Sequence, residues 1–168
     1  MALKKTSEVI VISSTVEETA PNTFTQSQVD LQLNPLDQEV FVVLAVDLNL
    51  SSPDAIAATD TTVRGSLSTT SRTTVGNIGD SNVMAEGRLD IRAGGFADGG
   101  VPFSRMSGET PHAMLDYIGI IATNDFFLQI VGENNAADKN LFARVWGYRA
   151  KADAATFAAL TQSELLSA

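Results

Sequence analysis

Apolar residues recur at every second position in about eight separate stretches of this chain, and the segments joining them are short and rich in Gly, Pro, Asn, Asp, Ser and Thr. A parallel sheet needs a helix or comparable crossover between successive strands, and no helical periodicity occupies those segments, so the pattern specifies antiparallel pairing. A strand with one greasy face has to bury it. At 168 residues the chain suits one domain large enough to do so without disulfide or metal staples. The expected fold is all-β: an antiparallel two-sheet β-sandwich, jelly-roll-like, of about eight strands with a short C-terminal helix. Residues 1–22 form its N-terminal strand and arm, 23–150 the sandwich and 151–168 the helix.

The individual strands follow from the same alternation. Residues 7–13 read as the first, and the acidic, Pro21-bearing stretch 14–22 as a connection. Val29, Leu31 and Leu33 alternate with Asp30 and Gln32 until Asn34-Pro35, where proline removes a ladder donor and displaces its predecessor from the helical region. In residues 40–50, Val40, Val42, Leu44, Val46, Leu48 and Leu50 share one parity, while Phe41, Val43 and Ala45 make the other face apolar too. That strand belongs in the middle of a sheet, covered on both sides. Residues 51–61 read as a loop with one helical turn beginning at Pro53 or Asp54. Residues 63–74 and 83–92 flank a turn at Gly76-Asn77-Ile78-Gly79-Asp80 and read as a hairpin; 115–122 and 126–131, around Thr123-Asn124-Asp125, read as another. In residues 141–150 the set Phe142, Arg144, Trp146 and Tyr148 alternates with Leu141, Ala143, Val145 and Gly147. Its aromatics read as core filling, with a sugar-stacking platform as the alternative. Residues 93–111 concentrate glycine and proline and read as a long loop. Asp153 caps a closing helix over 154–160, and Thr161-Gln162-Ser163-Glu164 matches a capping box that starts a second turn carrying Leu165 and Leu166.

Composition removes many chemistries. With no cysteine there is no thiol nucleophile, thiolate metal site or iron–sulfur ligation, and His112 is the sole imidazole. No Gly-x-Ser-x-Gly elbow, dinucleotide fingerprint or phosphate loop is present. Asp80-Ser81-Asn82, Asn124-Asp125 and Asp138-Lys139-Asn140 offer oxygen ligands on turns without the spacing of an EF-hand. The carboxylates Asp47, Glu86, Asp90 and Asp116 lie in or beside strands, where outward-facing acids are ordinary in an acidic protein. We therefore expect no enzyme activity, no catalytic residues, no cofactor and no metal. A net charge of −9 repels nucleic-acid phosphates, and the longest apolar run, residues 40–46, is far shorter than the ~20 residues that cross a bilayer as a helix.

The length, the strand number, the Ser/Thr/Ala-rich and lysine-poor composition, and the late strand Phe142-Ala143-Arg144-Val145-Trp146-Gly147-Tyr148-Arg149 resemble single jelly-roll structural subunits of viruses and phages. That resemblance implies a capsid or other virion protein whose work is self-association, with copies of itself and other virion proteins as partners and the virion as its location. The amino-terminal segment departs from basic-armed capsid proteins, since Lys4 and Lys5 are followed by Glu8, Glu17 and Glu18. Phe157, Leu160, Leu165 and Leu166 of the closing helix are the expected subunit contacts if they do not cap the core. A carbohydrate- or ligand-binding sandwich module is the alternative function.

Overall fold

A computed structural model describes residues 3–107 and 115–168 of the chain. The strands are β1 (Lys4–Lys5), β2 (Ile10–Glu17), β3 (Thr25–Asp30), β4 (Glu39–Leu50), β5 (Thr61–Ser68), β6 (Val83–Arg92), β7 (Val101–Ser107), β8 (Gly119–Ile121), β9 (Asp125–Glu133) and β10 (Asn140–Lys151), followed by the helix α1 (Ala154–Leu166). Every pairing is antiparallel. One sheet is ordered β2–β10–β4–β8, with the two-residue β1 continuing the β2 edge along β10; the other is β3–β9–β5–β6–β7. Apart from β1 and the added β7, every consecutive pair of strands crosses between the sheets except the β5–β6 hairpin. Two interleaved sheets connected in this way are a jelly roll.

The alternation seen in the sequence builds the interior. Phe41, Val46, Leu48, Leu141 and Val145 from the first sheet meet Val63, Leu67, Phe126, Leu128 and Ile130 from the second. Burying such side chains fully stabilises by roughly 1.5–3 kcal/mol each. β4 is central, between β10 and β8, but its parity breaks. Trp146 pairs with Ala45 and the next residue, Gly147, with Val43, so Leu44 is an extra residue in a β-bulge. Beyond the bulge Val46, Leu48 and Leu50 face the core; before it Phe41 and Val43 do. Val40 and Val42 consequently turn outward into a second apolar cluster with Ala122, Ala150 and Ala152. One inserted residue thus supplies the seat on which α1 rests.

Several segments differ from the sequence reading: residues 51–60 hold no helical turn at Pro53 or Asp54, and the strand expected over 63–74 is Thr61–Ser68. β2 continues through Glu17, because Ser13 and Thr15 merely occupy its wet face while Val16 is buried. β3 is the polar Thr25–Asp30, and Leu31 and Leu33 enter the core from an irregular stretch in which Gln32 takes a left-handed φ of 52°. The expected hairpin around Thr123-Asn124-Asp125 is a crossing between sheets, since β8 pairs with β4 and β9 with β3 and β5. Much of the expected 93–111 loop is β7, hydrogen-bonded to β6 from Arg92↔Val101 to Glu86↔Ser107. His112 and Pro111 lie outside the described residues.

Carboxylates tie the loops at one end of the sandwich, among them the partly exposed Asp54. Asp54 accepts the Ala136 and Ala137 N–H groups at 2.8 and 3.0 Å and lies 2.6 Å from Lys139 Nζ. These donors, the Lys139 ammonium foremost, hold the Asp54 carboxyl below its ordinary value against the opposing effect of burial. A carboxylate with a depressed folded-state pKa stabilises above the unfolded-state value, and that contribution is lost as pH falls through the folded one. Asp54→Asn should therefore cost about 1–2 kcal/mol at pH 7 and progressively less as the pH is taken below the ordinary carboxylate range, which urea denaturation across a descending pH series measures.

Candidate functional site

α1 crosses half of the outer face of the β2–β10–β4–β8 sheet. Asp153 is its N-cap, accepting the Thr156 N–H at 2.7 Å, and the helix runs unbroken to Leu166, so no second turn begins at Thr161. Glu164 has a different task from the capping box expected of it. Only 7 % exposed, it accepts the Ala122 and Thr123 N–H groups at 2.8 and 3.1 Å and the Thr123 hydroxyl at 2.6 Å, satisfying the amides that β8 leaves unpaired as it ends. Burial above all, with the Asp125 charge adding to it, raises the Glu164 carboxyl above its ordinary value although those three donors pull it down.

Phe157 and Leu160 are half-buried against the outward cluster of Val40, Val42, Ala150 and Ile120, whereas Leu165 is 61 % and Leu166 78 % exposed. The four residues expected as subunit contacts therefore divide: two anchor the helix to its own sheet and two point away from it. Other exposed apolar side chains stand at sheet edges, Val101 and Phe103 on β7, Val9 beside β2 and Val11 on it.

The other half of the same outer face is open. In register across β2, β10 and β4 run the rows Val11–Trp146–Ala45, Ser13–Arg144–Asp47 and Thr15–Phe142–Asn49. The aromatics of β10 are therefore not core: Phe142 is 48 % exposed, Trp146 partly so, and the alternate set Leu141, Ala143 and Val145 faces inward. Arg144 lies over the Trp146 ring, 5.9 Å from its centroid, instead of pairing with Asp47 across the strand, and Lys5 lies 5.3 Å from the centre of Tyr148. Ser13, Ser14, Thr15, Asp47, Asn49, Phe142, Ala143 and Arg144 line an open depression of about 510 Å³ on this face.

The remaining carboxylates do not converge. Asp47 projects from one sheet, and Glu86 and Asp90 from the opposite face of the other, where Asp90 accepts from Thr62 and Arg88. The turn at Asp80-Ser81-Asn82 already holds a cation, for Arg72 donates to Asp80 Oδ2 at 2.8 Å and to Asn82 Oδ1 at 2.6 Å. Among the described residues no group of three His, Cys, Asp or Glu side chains is placed to hold a metal ion, and no helix is long and apolar enough to cross a membrane.

Fold and surface together define a jelly-roll β-sandwich with a helix-covered and an open half on one sheet. Neither the models of known protein families nor the curated proteins contain a match to this chain.

Proposed function

We propose that this chain is a structural subunit that assembles with copies of itself, as a capsid or other virion protein does. The observation that carries the reading is the pair Leu165 and Leu166, 61 and 78 % exposed on a helix whose Phe157 and Leu160 are already seated on the subunit's own sheet. Adjacent exposed leucines at a helix end fit the apolar centre of a contact between subunits. Symmetric repetition lets contacts that are weak one at a time close a stable shell. Jelly rolls also serve as capsid domains, which supports the reading without carrying it, since one fold hosts many functions. A charge of −9 suits a layer that faces protein or an internal membrane better than one against nucleic acid.

Leu165→Ser/Leu166→Ser in the full chain tests this. The double variant keeps Glu164, Phe157 and Leu160, so it folds as the parent does, whereas removing residues 153–168 would bare the outward cluster of the sheet. The expected result by multi-angle light scattering is loss of the assembled species and elution at the subunit mass of 17.8 kDa. An assembly of unchanged size would remove the helix tail from the contact.

A further inference from the structure

We propose that the open half of the β2–β10–β4 face is a binding site for a neutral oligosaccharide, separate from the helix tail assigned to self-association. A pyranose presents a flat patch of C–H groups ringed by hydroxyls, so its site needs an exposed ring with hydrogen-bonding side chains beside it. Phe142 supplies the ring, 48 % exposed, and the register sets Thr15 and Asn49 on either side, about 5 Å away across the strands. The adjacent row adds Ser13, Arg144 and Asp47. Hydroxyl, amide, guanidinium and carboxylate together match sugar hydroxyls, which both donate and accept. None of these five polar side chains makes a hydrogen bond or ion pair among the described residues. Arg144 and Asp47 face each other in register without pairing; Arg144 rests over the Trp146 ring with its N–H donors unused, and Asp47 has no partner among the described residues, so both can meet a ligand.

Trp146, four residues along β10 from Phe142 and so about 13 Å away on the same face, becomes a second ring for a chain of sugars when Arg144, which lies over it, turns to the ligand. The class of ligand follows from charge. Arg144 and Asp47 cancel locally, and the protein's −9 disfavours polyanionic glycans. The centres of protein–protein contacts are depleted in charged residues, and here a cation and an anion line the depression.

The test uses the intact chain, whose single tryptophan is Trp146. Its fluorescence and isothermal titration calorimetry are followed on adding cello-, manno- and galacto-oligosaccharides, with sialyllactose and a heparin fragment as charged counterparts. The expected result is saturable binding of at least one neutral series with a change in Trp146 emission. Phe142→Ala and Asn49→Ala each weaken that binding by about tenfold or more while circular dichroism and assembly size stay at the parent values. Binding that survives both substitutions, binding of the charged sugars alone, or no saturable signal from any neutral series would overturn the proposal. Because assembly is read separately, loss of sugar binding and loss of self-association are told apart.

Discussion

Adding a single methyl group at Gly147 is expected to destabilise the protein by about 3 kcal/mol or more, a large share of the ~5–15 kcal/mol that holds a domain folded. A Cβ at this position would lie 2.5 Å from Val42 O and 2.5 and 2.6 Å from the Phe41 ring carbons Cε1 and Cζ. The ring can turn, but the carbonyl belongs to the backbone of β4 just before the bulge, where Phe41 and Val43 face one apolar cluster and Val40 and Val42 the other, so moving it disturbs both faces of that strand. Gly147→Ala should lower the thermal midpoint by roughly 6–12 °C. Gly79→Ala is the matched control, since a Cβ there meets nothing within 4 Å and the midpoint should stay where it is.

The second large effect is at Glu18, 2 % exposed at the end of the sandwich opposite the seat of α1. Its two oxygens accept the Gly132 N–H at 2.6 Å and the Lys139 N–H at 3.0 Å, while its own N–H donates to Lys139 O at 3.0 Å. A single carboxylate thereby joins the first connection to the β9–β10 loop. Glu18→Ala leaves two buried backbone donors without partners, at about 1–3 kcal/mol each, so a loss of roughly 2–6 kcal/mol is expected. Glu18→Gln should cost less, since its carbonyl can serve one donor but its NH₂ group opposes the other. Hydrogen exchange of the Gly132 and Lys139 amides reads this locally. Both should speed up in the alanine variant, and exchange unchanged at both would contradict the role given to Glu18.

The sequence carried the antiparallel sandwich, the central β4, the β5–β6 hairpin and the terminal helix because each rests on strong local alternation or a clear cap. What it hid has physical causes. The bulge at Leu44 leaves no trace in a strand apolar at both parities, so nothing marked Val40 and Val42 as the seat of the helix. β7 was obscured by Pro102 and by the glycines before it, yet an edge strand tolerates proline because one side of its backbone needs no ladder partner. β3 was displaced because Thr25–Gln28 is polar, while the apolar Leu31 and Leu33 lie outside the strand and still reach the core.

The surface was legible only in part. Leu165 and Leu166 stand out as apolar residues near a polar end, but that Phe157 and Leu160 would be tied down instead depends on a sheet face assembled from β4, β8 and β10. Alternating aromatics most often fill a core, but on β10 the opposite parity does so, through Leu141, Ala143 and Val145, with Gly147 packed against Phe41. Glu164 matched a helix-capping pattern and serves a strand end, a contact between residues 42 positions apart that no local motif encodes.

Sedimentation velocity of the unmodified chain, from micromolar to millimolar concentration and at low and high salt, weighs the assembly reading against its opposite. Self-association predicts a weight-average mass that climbs above 17.8 kDa with concentration and collapses to that value in Leu165→Ser/Leu166→Ser. A single 17.8 kDa boundary at every concentration and salt would contradict it.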